Sequence, residues 1–311
     1  MGNLPILSLC IPTNGAVEWL LPVLSSIYCQ NYDQSKFEVV ITDNGRDSLL
    51  PEYIAKMTYP NLRYKQTTDE GFLNLVTSIK EGRGLFCKMI NHRSVMLPGS
   101  ISDLVCMVEK YAERKPMIYC ANGNTNIGEI LECRNLDEFV KGLSYWSSWS
   151  AGIGFWKEDI SRFDDIEQYD LMPNASLLFD IRKESEYVIW DKPYMKMEDD
   201  KGKGGYDLFQ TFAVGYLDLI NNLRFNRRIS QDTFLKVKSD LLDFLKKLYL
   251  REAILPTNHT FIIGDVRKSI NVYYSKYDYL SMVIGAWLKA PYYYLRFIMG
   301  YLKGLLIINE A

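Results

Sequence analysis

Histidine is almost missing from this 311-residue chain, which has only His92 and His259. A metal centre built on imidazole, or a Ser-His-Asp hydrolase site, therefore has little material to draw on. Cysteine is scarcely better represented. Cys10, Cys29, Cys87, Cys106, Cys120 and Cys133 show no Cys-x-x-Cys spacing and mostly lie inside apolar runs. That is how buried thiols of a reducing compartment are placed, and it argues against a disulfide framework or a zinc ribbon. The expected location is the cytoplasm.

An excess of either charge is also lacking. With 36 Lys and Arg against 38 Asp and Glu, the formal net charge is −2, so no global field draws in nucleic acid or anionic lipid, and any such contact needs a local patch. Nucleic acid is not an expected partner. The opening Met-Gly-Asn-Leu-Pro-Ile carries no basic segment and runs straight into a strand-like stretch, so neither a signal nor a transit peptide is expected. Ile6 stands where a myristoylation signal has Ser or Thr. The run Gly202-Lys203-Gly204-Gly205 lacks the spacing of a phosphate-binding loop and reads as a linker.

What is present is the balance of a globular protein, 48% hydrophobic and 24% charged, long enough for one large domain and a smaller lobe. The 22 tyrosines suit a sugar-handling cleft, a membrane interface or a Tyr-rich core alike. Short apolar runs at 7–11, 37–42, 62–66 and 85–90 alternate with helical periodicity at 18–28 and 71–81. This strand, helix, strand order predicts an α/β domain with a mostly parallel sheet, over residues 1–203. In such sheets ligands bind beyond the carboxyl ends of the strands, so Pro12-Thr13, Asp43-Asn44 and Asn91-His92-Arg93 are expected to line one cleft. Helices at 98–114 and, in a C-terminal region 204–311, at 206–223, 230–255, 269–289 and 291–308 complete the expected layout, with a flexible turn near Lys201 to Gly205.

Leu9-Cys10-Ile11-Pro12-Thr13, then Leu20 to Ile27 and Gln30, then Val39-Val40-Ile41-Thr42-Asp43-Asn44-Gly45 resemble the opening of family 2 glycosyltransferases. Gly71, Asn74, the Gly82-Arg83-Gly84 turn and Pro98-Gly99 follow in the family's order, so the resemblance covers about residues 4 to 105. Further on it is looser, with Ser150-Ala151-Gly152 similar to an acceptor-side strand and Gly204-Gly205-Tyr206 nearest in character to abequosyltransferase-like O-antigen and capsule enzymes. The resemblance implies a GT-A (Rossmann-like) fold, Pro12 and Thr13 lining a nucleoside pocket, and Asp43 binding the base or ribose. Read on its own, Asp43 merely opens an Asx turn. Asn14-Gly15-Ala16 and Arg46 depart from the family's usual residues.

The largest departure falls at the metal motif. Where the family carries Asp-x-Asp to hold Mg²⁺ or Mn²⁺ against the diphosphate, this chain has Asn91 and Arg93 flanking His92. A neutral amide and a guanidinium cannot make a hard-cation site, so no metal ligand is assigned, while the resemblance still leaves Mg²⁺ or Mn²⁺ open as a cofactor. Arg93 is a physical substitute that can pair bidentately with the diphosphate; the alternative is a surface charge. The family's Glu-Asp pair, source of the base that takes the acceptor's proton, falls on Pro173-Asn174 by spacing. Asp170, in the acidic cluster with Asp164, Asp165 and Glu167, is the nearest carboxylate, set against the plain reading of a solvated loop.

The expected activity is transfer of a sugar, hexosyl or deoxyhexosyl, from a nucleoside diphosphate, UDP foremost, to a glycan or lipid-linked surface polysaccharide, with inversion implied by the resemblance. The competing expectation is a degenerate module that binds a glycan or a partner transferase. Residues 291–308 carry Arg296 and Lys303 among Leu and Ile, which suits peripheral contact with the inner face of the membrane, or packing on the domain or a second subunit.

Overall fold

The computed structural model describes residues 4–46, 49–197, 204–255 and 260–308. The chain divides into two compact units, Met1–Glu198 and Asp199–Ala311. The boundary expected near residue 203, with its Lys201 to Lys203 turn, lies outside the described residues, as does His259.

The first unit begins β1 (Leu7–Thr13), α1 (Val17–Tyr28), β2 (Phe37–Asp43), α2 (Leu50–Ile54), β3 (Leu62–Gln66), α3 (Leu73–Glu81), β4 (Phe86–Met89). It continues with β5 (Ser94–Met96), α4 (Ser100–Tyr111), β6 (Met117–Cys120), β7 (Ile130–Cys133), α5 (Leu136–Leu143), β8 (Gly154–Trp156) and α6 (Lys157–Ile160). It closes with α7 (Pro173–Asp180), β9 (Tyr187–Trp190) and β10 (Met195–Met197). The main sheet has the order β3-β2-β1-β4-β8; its first four strands are parallel and β8 runs antiparallel to β4. Leu9, Cys10, Ile11, Val39, Val40 and Ile41 are all buried. A parallel strand covered on both faces needs such an unbroken apolar run.

Register decides where the loops leave. β1 pairs β2 from Leu7↔Phe37 to Thr13↔Asp43, so Thr13 and Asp43 end side by side. β1 pairs β4 up to Cys10↔Met89, and Ile90 N–H donates to the Cys10 carbonyl at 2.8 Å, which carries residues 91–93 to the same edge. The sheet's strand order reverses between β1 and β4, the point at which sheets of this kind receive their ligands. The opposite end is pinned by Glu38. One of its carboxylate oxygens accepts from Ser8 Oγ at 2.6 Å and from the Arg83 amide at 2.5 Å, and the other from Arg63 at 3.1 Å. Gly84 closes that end because a Cβ there would lie 2.8 Å from the Ser8 nitrogen.

Beside the main sheet stand a three-stranded sheet, β6-β9-β7, and a ribbon in which β10 runs antiparallel to β5. Lys88 of β4 is fully buried. Its ammonium donates to the carbonyls of Met89 at 2.9 Å, Ile153 at 3.0 Å and Ala151, and lies 5.3 Å from the centre of the Tyr194 ring. All three donors of the ammonium are used, the condition for keeping such a charge inside a protein.

The second unit holds a parallel strand pair, β11 (Gly204–Asp207) and β12 (Thr260–Ile262), and helices α8 (Leu217–Phe225), α9 (Gln231–Leu248), α10 (Val266–Tyr273) and α11 (Lys276–Ile308). π-helical turns at Gln210–Tyr216 and Tyr249–Ile254 precede α8 and follow α9. The helix expected at 206–223 thus opens as a strand. The one expected at 269–289 is cut at Ser275, where a reciprocal cap starts α11: the Ser275 amide donates to Asp278 Oδ2 at 2.9 Å and the Asp278 amide to Ser275 Oγ at 3.3 Å. Pro291 starts no helix; it lies inside α11. Its missing N–H forfeits one hydrogen bond, but contacts on both sides hold the helix. Ala286 and Ala290 pack with Leu250 before it, and Tyr294 Oη donates to the Ile254 carbonyl at 2.9 Å after it.

Candidate functional site

Three strand ends are gathered by one buried amide. Asn74, near the start of α3, donates from Nδ2 to the Thr13 carbonyl at 3.1 Å and the Thr42 carbonyl at 3.0 Å, and its Oδ1 accepts from Thr67 Oγ1 at 3.1 Å. The tips of β1 and β2 and the loop after β3 are thereby locked to one another. Pro12 is half-buried and Thr13 is buried, so the backbone of this pair forms the floor of the edge.

His92 and Arg93 close the gap between β1 and β4. His92 Nδ1 lies 2.8 Å from Thr13 Oγ1, and Arg93 Nε donates to His92 Nε2 across a longer 3.4 Å. A guanidinium has no acceptor. Nε2 must therefore be the bare nitrogen, which puts the imidazole proton on Nδ1, donating to Thr13. The Gly15 amide also donates to that hydroxyl oxygen at 3.3 Å, so both of its lone pairs are used and the Thr13 hydroxyl proton is left to serve as a donor. The Arg93 guanidinium sits 4.3 Å above the half-buried ring of Trp19, from α1. This cation-π contact holds the charge over the ring face. Asn91 shapes the turn, its Oδ1 accepting from the Arg93 amide at 2.9 Å.

Asp43 is fully buried. Its Oδ1 accepts from the Gly45 amide at 2.8 Å and its Oδ2 from Tyr64 Oη at 3.0 Å. Burial, and then the neighbouring Asp43 carboxylate, push the Tyr64 phenol well above its ordinary range, so it stays a donor. The Asx turn anticipated at Asp43 is present, and each carboxylate oxygen has a protein partner. Asp69, which the sequence reading did not single out, offers more. The Asn44 side chain donates to the Asp69 carbonyl at 3.0 Å and the Gly71 carbonyl at 3.2 Å, folding this loop back over the tip of β2. Asp69 Oδ2 is buried without a hydrogen-bond partner. A buried carboxylate oxygen in that state is costly unless a donor arrives from elsewhere. Its acid, two residues ahead of a turn glycine, was the available signal.

Asp170 stands exposed in the turn before α7. Of its acidic neighbours, Asp164 is ion-paired with Lys80. Asn174, where the sequence resemblance would put a carboxylate pair, is buried and donates to the Ser148 carbonyl at 3.1 Å, so the first turn of α7 is tied to the aromatic segment 145–149. Residues 91–93 do not fit a divalent cation. The one side-chain oxygen there, Asn91 Oδ1, is engaged by the turn, and Arg93 brings a guanidinium, which repels a cation. Among the described residues no group of three or more His, Cys, Asp or Glu is placed to hold a metal ion.

No protein-family profile matches the sequence, and no curated protein matches it. Solved structures do match. S. aureus TarS residues 1–349 superimposes with a TM-score of 0.54 at 14% identity, over 79% of this chain and 72% of that one. The same protein in complex with UDP-GlcNAc gives 0.55 at 16% identity, over 78% and 72%, and in complex with UDP 0.54 at 15%, over 79% and 72%. At such identities the likeness is one of architecture. The chain has the GT-A fold, an α/β arrangement with a mostly parallel sheet flanked by helices.

Proposed function

We propose that this chain is a glycosyltransferase that moves a sugar from a nucleoside diphosphate, UDP foremost, to an acceptor hydroxyl without a bound metal. One observation carries the reading: His92 bonded to Thr13 across the strand-order reversal, with Arg93 held on Trp19 beside it. This puts a fixed positive charge where a doubly wound sheet receives its ligand. Support also comes from the superposition on TarS, which has been solved with UDP and UDP-GlcNAc.

In this reading Thr13 and Pro12 border the nucleoside, Asn91 and His92 shape the diphosphate loop, and Arg93 pairs with the diphosphate oxygens. Asp43 serves the base or ribose from behind, by orienting Tyr64 and the Gly45 turn, and Asp69 Oδ2 is the open acceptor for an imide N–H or a ribose hydroxyl. The acceptor oxygen attacks the anomeric carbon, the bond from that carbon to the diphosphate oxygen breaks, and the acceptor's proton passes to a carboxylate, for which Asp170 is the candidate. A single displacement of this kind inverts the anomeric centre. A hexosyl or deoxyhexosyl donor and a lipid-linked surface polysaccharide of the O-antigen or capsule class complete the proposal, and residues 1–203 form its catalytic part.

Calorimetry with UDP in EDTA tests the site. Binding is expected without metal, weakened by roughly 1–3 kcal/mol in Asp69→Asn, where a charge-assisted acceptor is lost. Asp43→Asn is expected to weaken it through Tyr64. Unchanged affinity in both variants, or an absolute need for Mn²⁺, overturns the assignment. Binding of UDP-sugars with no release of UDP in the presence of glycan acceptors makes the chain a binding module.

A further inference from the structure

α11 packs through one narrow stripe and leaves the opposite one bare. Met282, Ala286 and Ala290 recur every four residues and are 1–3% exposed, on the face that meets Leu250. On the far side Tyr277, Leu280, Ile284, Trp287, Leu288 and Leu295 are 48–77% exposed. Spaced three, four, three, one and seven residues apart, they fall within an arc of about 100°, half a turn away from the packed face. The Tyr294 bond to Ile254 holds that orientation past Pro291. The stripe begins nearly four turns before the 291–308 segment.

We infer that this stripe docks on the surface of an anionic lipid bilayer. Charge selects the occupant. α11 contains Lys276, Lys289, Arg296 and Lys303, and its single acid, Asp278, accepts the two hydrogen bonds of the Ser275 cap. From residue 279 to 308 there is no Asp or Glu. A second copy of the helix laid on this one would bring cations against cations with no acid to pair them, whereas an acidic lipid surface is complementary. The remaining composition agrees. Tyr277, Trp287 and exposed Tyr292 and Tyr293 are rings with an apolar body and a polar tip, the kind that gathers at the lipid headgroup level. No helix among the described residues is long and apolar enough to cross a membrane, so α11, about 50 Å long at ~1.5 Å per residue, lies along the surface.

Co-sedimentation of the full chain with phosphatidylglycerol vesicles tests this, against phosphatidylcholine vesicles as the uncharged arm. The wild type is expected to pellet with the anionic vesicles only, and to be released as salt rises through a few hundred millimolar. Trp287→Ser with Leu288→Ser removes two exposed side chains and is expected to weaken binding on the order of 100-fold with an unchanged circular-dichroism melt. Lys289→Glu, an exposed charge reversal that leaves the fold intact even if the double variant does not, is expected to weaken it roughly five-fold or more. Failure of the wild type to pellet, or equal binding by Lys289→Glu and by a folded double variant, overturns the proposal. So does a concentration-dependent dimer that the double variant abolishes while vesicles are ignored, which would assign the stripe to a second copy of the chain.

Discussion

Burial takes Lys88 down to about 8 from the ordinary lysine value of 10.5, with the thiols of Cys10 on β1 and Cys120 on β6 and the ring of Tyr194 around it. The unfolded chain keeps its proton up to the ordinary value, so between those two pH values the unfolded state binds more protons and stability rises with pH. The penalty for holding the charge is fully present below about pH 8 and is relieved as pH climbs toward 10.5. At ~1.4 kcal/mol per tenfold change in proton affinity, it is worth about 3 kcal/mol. Lys88→Met removes the ammonium at similar volume. Of the freed carbonyls, Ala151 keeps the Tyr194 hydroxyl at 2.9 Å and Ile153 keeps the Met89 amide at 3.2 Å, so near pH 7 the variant should differ from wild type by no more than about 1–2 kcal/mol. The difference between the two proteins in urea unfolding free energy should then be flat below pH 7 and shift by about 3 kcal/mol in favour of wild type from pH 8 to 10.5. Buried Tyr194 has a raised value and makes both proteins less stable in base, an effect that cancels in the difference; Cys120, whose thiol the Lys88 charge pulls down, rises further in the variant, which adds to the shift in favour of wild type. Parallel curves across that window would refute the reasoning.

Arg93→Ala should lower turnover on the order of 10²–10³-fold, the loss typical of one preorganised group facing developing charge, while Arg93→Lys keeps part of the rate because a point charge remains without the fork; steady-state kinetics at wild-type level in the alanine variant would make Arg93 a bystander. Asn74→Asp sets an acceptor against the Thr13 and Thr42 carbonyls and should cost roughly 3 kcal/mol in chemical denaturation, with UDP affinity falling as the strand tips separate. Stability equal to wild type would show that Asn74 does not tie the loops.

Much of the first unit could be read from the sequence because its signals are local. The runs around Ile11 and Ile41 are apolar throughout, and only a strand covered on both faces has a use for that. The convergence of Thr13, Asp43 and residues 91–93 followed from strand order alone. What was not legible depends on contacts far apart in sequence. Asp43 looked like an open acceptor, but Tyr64, which occupies its second oxygen, comes from the neighbouring strand. Asp69 gains its interest from the absence of a partner, which no pattern encodes. In the second unit, Pro291 carried the local signal of a helix start, and packing at Ala286, Ala290 and Tyr294 outweighed it. The Ser275 and Asp278 cap is a local signal, Ser-x-x-Asp, that marks the start of α11.

On the proposed reading, the departures at Asn91 and Arg93 from the pattern the sequence resembles are electrostatically one departure. In a metal-dependent site two carboxylates are tolerable beside a diphosphate only because a divalent ion cancels them; without the ion they would repel the donor. A chain that dispenses with the metal must therefore lose the acids as well, and a cation must stand in the same loop if the leaving group is to be stabilised. Asn91 and Arg93 meet both conditions. The imidazole between them bridges Thr13 and Arg93, and Trp19 holds the guanidinium by its face. On that reading a cation at the point where the strand order reverses serves the leaving group, and turnover, and not binding alone, is the expected result.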